Sequence, residues 1–173
     1  KKYTDKIINV TEFYPGKAIN QGIRASSGKF IAITSGHCIP KNNLWLKKLI
    51  EPLERDRTGL LAGVYGRQEP FSSSSALDKR DLTVVFGLDE RIQRKDSFFH
   101  NANSAFRRDM WEKFPFDETT TNIEDRLWGA EVIKSGYHIF YTPYASVYHY
   151  HGINHGGKVD RAEKIVSIIE NLE

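Results

Sequence analysis

Three histidines stand at or near the ends of apolar, strand-like runs. His37 follows the run FIAIT in the sequence IAITSGHCIP. His149 and His151 are two residues apart in the segment HIFYTPYASVYHYHG, so a strand would place both on one face. Imidazole is a ligand for divalent metals and, through them, for the phosphates that they hold. A lone histidine is more often a hydrogen-bonded structural residue, so only their convergence would indicate a site.

Two carboxylates, Glu124 and Asp125, open a predicted helix after the polar turn TTTN. A carboxylate at a helix start is explained as a cap or a partner of the helix dipole, but that explanation accounts for only one of the pair. Carboxylate together with imidazole suits a divalent cation or the phosphates that the cation holds. We therefore expect these groups to converge at one edge of a sheet.

Apolar periodicity predicts the elements that must position these groups. The predicted strands are 6–10, 29–34, 59–65, 103–107 and the segment HIFYTPYASVYHYHG. The predicted helices are 18–25, 43–53, 108–113, 123–135 and 161–172, the last packing on the core. Strand–helix–strand order predicts an α/β fold, and the nearly continuous apolar run FIAI favours a parallel strand covered on both faces. Ligands bind beyond the carboxyl ends of such strands, where Ser35, Gly36 and His37 fall.

The segment 66–81, GRQEPFSSSSALDKRD, is polar and rich in serine. This composition predicts a mobile connection that lies over something. A solvated loop and a lid over the site are equal alternatives.

Length and composition predict one domain covering residues 1–173. The chain has 173 residues, of which 39% are hydrophobic and 27% charged. No apolar run approaches the roughly 20 residues needed to cross a bilayer. The net charge of +3 is too even a balance to indicate a nucleic-acid binder. The single cysteine, Cys38, excludes an internal disulfide and favours a cytoplasmic, reducing compartment.

The segment YPGKAINQGIRASSGKFIAITSGHCIP resembles a stretch of the family 2 glycosyltransferases that reads approximately R-N-x-G-I-x-x-A-x-G-x-x-I-x-x-L-D-x-D-x-x-x-P. The similarity continues, in the family's order and spacing over 15–152, through WLKKLI, GRQEP, HNANSAFRRDMWEKFPFDE and NIEDRLWGAEVIKSGYHIFYTPYASVYHYHG. It is nearest in character to the rhamnosyltransferase-like bacterial branch. The resemblance implies a GT-A, Rossmann-like α/β fold with a mixed sheet flanked by helices. It also implies that the chain is the C-terminal portion of a catalytic domain, without the N-terminal strands that bind the nucleotide.

The resemblance implies an inverting transfer of a sugar from a nucleotide-diphosphate donor to an acceptor hydroxyl in surface polysaccharide assembly. Asp125 matches the catalytic base of inverting members, and Glu124 is its neighbour. A divalent cation, Mn²⁺ or Mg²⁺, would neutralise the charge of the leaving diphosphate. The donor would be a nucleotide sugar and the acceptor a glycan or a lipid-linked glycan, with no nucleic acid involved.

The family's D-x-D motif is replaced here by Ser35-Gly36-His37, so neither aspartate is present. Some GT-A enzymes use D-x-H with a second histidine later in the chain. By that resemblance His37 and His149 would keep part of the metal or diphosphate site. Ser35 is a poor metal ligand beside an aspartate, which weakens the expectation of Mn²⁺ or Mg²⁺.

Four further residues are implied to contact substrates. Asn103 would lie beneath the donor sugar, and Arg67 with Gln68 would reach the diphosphate or the acceptor. Trp128 would stack on the acceptor sugar, with a core tryptophan as the equal alternative. The corresponding alternatives are a turn residue for Asn103 and an exposed loop for Arg67 and Gln68.

Two other functions remain open at this stage. A non-catalytic sugar-binding or scaffold module of the same fold would explain the lost D-x-D motif. A histidine-rich metal hydrolase would need His37, His149, His151 and a carboxylate around one metal. The incomplete sheet implied by the resemblance would expose an edge that a second copy of the chain could cover. Membrane association, if any, would be peripheral and at the inner face.

Overall fold

A computed structural model describes residues 6–120, 122–150 and 159–170. Six strands form one mixed sheet with helices packed against it: β1 Phe30–Thr34, β2 Cys38–Pro40, β3 Leu61–Pro70, β4 Arg91–Gln93, β5 Asn103–Arg107 and β6 His138–His149. The helices are α1 Pro15–Arg24, α2 Trp45–Arg55, α3 Ala76–Val85, α4 Arg108–Lys113, α5 Glu124–Lys134 and α6 Val159–Glu170. The prediction of an α/β fold with a mixed sheet is confirmed. In the described part of the chain, no helix combines the length and apolarity that a membrane span requires.

The strand order is β1-β5-β3-β6-β2, and β4 pairs with the first part of β6. Only β3 and β6 run parallel, and every other described pair is antiparallel. The prediction of a parallel β1 covered on both faces is therefore wrong. β1 is an edge strand of the described sheet, where Ile31 is buried but Ala32 is exposed, so its apolar run covers one face.

Two apolar clusters occupy the two faces of the sheet. Val64 and Tyr65 are adjacent in β3 and must point to opposite faces. Val64 packs with Leu49 and Leu53 of α2. Tyr65 belongs to the larger cluster, which is rich in aromatic side chains and includes Trp128 of α5. The sheet is thus covered by α2 on one face and by α5 on the other.

Asn20 attaches α1 to the segment that follows α4. Its side chain is 1% exposed, and its Oδ1 accepts hydrogen bonds from Trp111 Nε1 at 2.7 Å and from the N–H of Phe116 at 3.2 Å. Its Nδ2 donates to the carbonyl of Phe116 over 2.8 Å. Every polar atom of this buried amide is used, so α1 is held in place beneath the cavity described below.

Close packing and a left-handed turn position α5. A Cβ at Gly129 would collide with the carbonyl oxygen of Ser97, so only glycine lets the helix lie this close to that loop. After the helix ends, Gly136 has φ +85°, a conformation that glycine adopts without strain. This turn leads directly into β6, which fixes the end of α5 relative to the sheet.

Most predicted elements are confirmed, with ends shifted by a few residues. Two predictions are wrong. Residues 6–10 form no regular strand, and Ile7 is 77% exposed there. The segment 66–81 is not a mobile connection, because 66–70 continue β3 and α3 begins at Ala76 with Ser75 as its cap. The short strands β2 and β4 were not predicted, and of the last predicted helix the structure describes the part within α6.

Candidate active site

A cavity of about 480 Å³ opens at the carboxyl end of β1, between the end of β6 and the start of α5. The polar side chains in its wall are Thr34, Ser35, His37, His100, Asn101, Asn122, Glu124, Asp125, Arg126 and His149. Ile165 of α6 also contributes to the wall. The structure brings His37, His149, Glu124 and Asp125 together in this wall, as the sequence predicts. His151 lies outside the described residues.

Asp125 sits in the first turn of α5, half-buried in the cavity wall. Its Oδ1 accepts the N–H of Arg126 at 2.8 Å, and its Oδ2 accepts the N–H of Asn101 at 3.1 Å. Burial raises the pKa of this carboxyl from 3.8 to about 6, and the two N–H donors offset part of that rise. A carboxylate with a pKa near neutrality accepts protons better than an ordinary aspartate does.

Glu124 and Arg126 flank Asp125 on the helix. Glu124 is 7% exposed at the first position of α5. The guanidinium carbon of Arg126 lies 4.5 Å from the centroid of the Phe98 ring, a cation–π contact that orients this positive charge at the cavity. Sequence reasoning missed Arg126, although its place directly after the carboxylate pair was a signal.

The imidazoles of His37 and His149 stack with their centroids 4.8 Å apart and their planes 25° from parallel. His149 is 2% exposed, whereas His37 is exposed in the turn before β2. Ser35 Oγ lies 3.1 Å from the ring nitrogens of His37, which restricts the orientation of that ring. The donors predicted for the metal or diphosphate site therefore lie side by side.

Cys38 adds a thiol to this histidine pair. It is directly opposite His149 in the register of β2 and β6. Burial raises the pKa of the Cys38 thiol to about 12, so the free thiol is protonated at neutral pH. A protonated thiol is a weak nucleophile, and covalent catalysis by Cys38 has no support.

Asn101 is a second residue that sequence reasoning missed. It is 7% exposed, and its Oδ1 accepts the hydroxyl of Ser104 at 3.2 Å. Its Nδ2 is buried and has no hydrogen-bond partner among the described residues. Asn101 also belongs to the lining of the cavity. A buried donor without a partner is costly unless a ligand uses it. The signal in the sequence was an asparagine in HNANSAFRR two residues before a predicted strand.

Asn103 and Trp128 lie away from the cavity, in the protein interior. Asn103 is fully buried, accepts Trp45 Nε1 at 2.8 Å and donates to the carbonyl of Ala145 at 2.7 Å. Its amide joins α2 to the sheet, and the structure does not bring Asn103 to the cavity wall. Trp128 is 1% exposed and stacks on Phe116, so its ring has no free face for an acceptor sugar. Trp128 is therefore a core tryptophan, which was the alternative to sugar stacking.

Arg67 and Gln68 lie within β3 and not on a loop. Arg67 Nε is 4.0 Å from Glu69 Oε1. Gln68 is 1% exposed, and neither of its amide atoms has a hydrogen-bond partner among the described residues. Neither residue lines the cavity, so the structure does not bring them to the predicted diphosphate site.

The donor set discriminates between metals. Within the described residues, the group of side chains close enough to hold one ion consists of His37, Cys38 and His149, without a carboxylate. A divalent cation that accepts nitrogen and sulfur ligands fits these residues. Mg²⁺ and Mn²⁺ fit them poorly, because both are held mainly by oxygen ligands.

Solved structures similar to this chain share its fold. A mannosyltransferase, PcManGT from Pyrobaculum calidifontis, in complex with GDP-Man and Mn²⁺, has a TM-score of 0.63 and 18% identity, covering 83% of this chain and 39% of that one. GalNAc-T7 with UDP, GalNAc and Mn²⁺ has a TM-score of 0.60 and 13% identity, covering 80% of this chain and 31% of that one. The fold predicted from the resemblance, GT-A, is thus confirmed.

Two curated relatives are similar in sequence. The O-antigen chain rhamnosyltransferase WbaN of Salmonella anatum is 29% identical over 162 residues, which are 86% of this chain and 50% of that protein. The O-antigen chain rhamnosyltransferase RfbN of Salmonella typhimurium is 29% identical over 102 residues, 53% of this chain and 32% of that protein. The chain therefore spans about half or less of the length of these relatives. Residues 6–114, more than half of the chain, match the family described as Glycosyl transferase family 2, and the chain belongs to that family.

Proposed function

We propose that the protein containing this chain transfers a sugar, with inversion, from a nucleotide-diphosphate donor to an acceptor hydroxyl in the assembly of a surface polysaccharide. The observation that carries the proposal is Asp125, a carboxylate with a pKa of about 6 in the wall of a cavity that also holds three imidazoles and a guanidinium. The names of the curated relatives, both O-antigen chain rhamnosyltransferases, support this class of reaction. A cytoplasmic location beside the membrane would bring donor and lipid-linked acceptor together.

In this mechanism Asp125 removes the proton from the acceptor hydroxyl as that oxygen attacks the anomeric carbon. The new carbon–oxygen bond forms while the bond to the diphosphate breaks, and the electron pair leaves with the diphosphate. One displacement inverts the anomeric carbon, so no second carboxylate is needed as a nucleophile. Because the N–H groups of Asn101 and Arg126 fix both carboxylate oxygens, the base is oriented before substrate arrives.

The groups proposed to face the leaving diphosphate are Arg126, His37 and His149, all in the wall of the same cavity. Arg126 supplies a permanent positive charge. A divalent cation held by His37 and His149 would neutralise part of the negative charge that develops on the diphosphate. The free Nδ2 of Asn101 is proposed to donate to a hydroxyl of the donor sugar or to a phosphate oxygen.

A non-catalytic sugar-binding module is the second candidate. The observation in its favour is Ser35-Gly36-His37, which stands where the family carries two aspartates. In this candidate the cavity would bind a sugar but would not catalyse its transfer. The hydrolase alternative needs a carboxylate beside the histidines, and the described cluster contains none.

The test is calorimetric titration of the protein containing this chain with UDP, dTDP and GDP, with and without a divalent cation. We expect one nucleotide to bind, His37→Ala to weaken it, and Asp125→Asn to leave it unchanged, because the base faces the acceptor. His138→Ala, at the opposite end of β6, is the matched control. Absence of binding by the folded whole protein, for all nucleotides and cations, would contradict the donor-site assignment. Binding without transfer to any O-antigen acceptor would favour the non-catalytic module.

A further inference from the structure

We infer that His37, Cys38 and His149 form a site for Zn²⁺ or a similarly thiophilic divalent cation, in which the Cys38 sulfur is a ligand. That this metal would face the donor diphosphate rests on the proposed function. The metal site itself rests on the geometry of the three side chains. The inference makes the Cys38 thiol a metal ligand. The metal would differ in class from the Mn²⁺ present in the two structural neighbours.

The three side chains lie close enough together to close around one ion. One ligand atom from each of the three residues lies within 4.8 Å of the others. Zn²⁺ takes nitrogen at about 2.0 Å and sulfur at about 2.3 Å, which places tetrahedral ligand atoms roughly 3.3–3.7 Å apart. Closing the cluster therefore requires a movement of about 1 Å, within reach of a side-chain rotation.

The backbone fixes two of the ligands and leaves the third adjustable. Cys38 and His149 face each other across the β2–β6 pair, so their separation is set by the sheet. His37 is exposed in the turn that precedes β2, and a change of its rotamer gives up only its side-chain contacts with Ser35 Oγ and the His149 ring. One adjustable ligand beside two fixed ones allows the cluster to close without disturbing the sheet.

The chemistry of the donors selects the metal. Two imidazoles and a thiolate are soft or borderline ligands, which favour Zn²⁺ over Mn²⁺ and Mg²⁺. The carboxylates of the same cavity, Glu124 and Asp125, are not members of the cluster. Three protein ligands leave a fourth tetrahedral position open to the cavity for water or an oxygen of the substrate. Binding would release the thiol proton of Cys38 to the buffer.

The first test is the absorption spectrum of this chain, reduced and free of metal, on addition of Co²⁺. A thiolate ligand gives an intense sulfur-to-cobalt charge-transfer band in the near ultraviolet, which histidine ligands alone do not give. We expect this band in the unaltered chain and its loss in Cys38→Ser. Absence of the band, with Co²⁺ bound to a folded chain, would overturn the assignment of the thiol. Since this measurement needs no variant, it stands even if Cys38→Ser fails to fold.

The second test is competition between metals for a chromogenic chelator. We expect Zn²⁺ to bind at least roughly tenfold more tightly than Mn²⁺. His37→Ala and Cys38→Ser should each weaken Zn²⁺ at least about tenfold, while the control His138→Ala retains the affinity. Equal or tighter binding of Mn²⁺, or an equal loss in His138→Ala, would overturn the proposal.

The outcomes separate this proposal from the proposed function. If nucleotide binding requires Mn²⁺ and is unchanged in Cys38→Ser, the zinc site is overturned while the proposed transferase function stands. Zinc binding with a thiolate band, without binding of any nucleotide, would establish the metal site and overturn the donor-site assignment.

Discussion

The backbone N–H of Asn101 donates a hydrogen bond to Oδ2 of Asp125 over 3.1 Å, which ties the segment before β5 to the first turn of α5. The two residues are distant in sequence, yet the bond decides the orientation of the candidate base. It also leaves the Asn101 side chain at the cavity, with one donor free of partners among the described residues.

The first prediction concerns the ionisation of Asp125. Because burial raises its pKa to about 6, its carboxyl carbon should titrate near pH 6 in a ¹³C NMR experiment, and not near 4 as an exposed aspartate does. A base must be ionised, so transferase activity should fall as the pH decreases through 6. A midpoint near pH 4 for the carboxyl carbon would contradict the raised pKa.

The same pKa predicts how stability depends on pH. The folded state holds the Asp125 proton more tightly than the unfolded state, so ionisation opposes folding. The stabilising contribution is complete below pH 4 and is lost as the pH rises through about 6. Between pH 4 and 7, the unfolding free energy should fall by on the order of 2 kcal/mol relative to Asp125→Asn, which does not titrate. Urea denaturation of both proteins at several pH values measures this difference.

The second prediction concerns Asn101. Asn101→Ala removes the free Nδ2 but keeps the N–H that holds Asp125, so it should weaken donor binding about tenfold and leave the Asp125 titration unchanged. Calorimetry and ¹³C NMR on the same variant separate the two effects. A shifted Asp125 pKa with normal donor binding would show that Asn101 acts only through the carboxylate.

Periodicity and turn residues were sufficient to predict much of the fold. β5 and α4 lie within the predicted bounds, because Asn103–Arg107 and Arg108–Lys113 carry strong local patterns. The continuation of β3 through Arg67 and Gln68 was not predictable, because these polar residues are in a strand only through pairing with β6. That pairing depends on residues far away in the chain, and local composition indicated a loop.

The candidate site was predictable in part for the same reason. His37 and Asp125 were found from residue type and position, since both stand where an element begins or ends. The roles of Asn101 and Cys38 depend on contacts with Asp125 and His149, which only the tertiary structure brings near. Asn103 and Trp128 are the opposite case, because similarity assigned them to a site, whereas packing places both in the interior.

The third prediction tests the structural role of Asn103. Asn103→Ala leaves the Trp45 indole N–H and the Ala145 carbonyl without their partner, and should lower the unfolding free energy by about 2–4 kcal/mol. Trp45→Phe removes the indole donor. If the amide acts through Trp45, the double variant should lose less than the sum of the two single losses. Strict additivity would contradict the coupling.

The last prediction distinguishes a core tryptophan from an acceptor platform. Trp128 Nε1 donates to the Phe114 carbonyl at 2.9 Å, and the ring packs against Phe99, Phe106 and Phe116. Trp128→Phe keeps an aromatic ring but loses this hydrogen bond and part of the packed volume, so the unfolding free energy should fall by about 2–3 kcal/mol. The KM for the acceptor should remain unchanged, because the ring is 1% exposed and cannot reach a sugar in the cavity. Chemical denaturation measures the first quantity and acceptor kinetics the second. A normal denaturation midpoint with a raised acceptor KM would restore the sugar-stacking role and require a rearrangement of α5 on substrate binding.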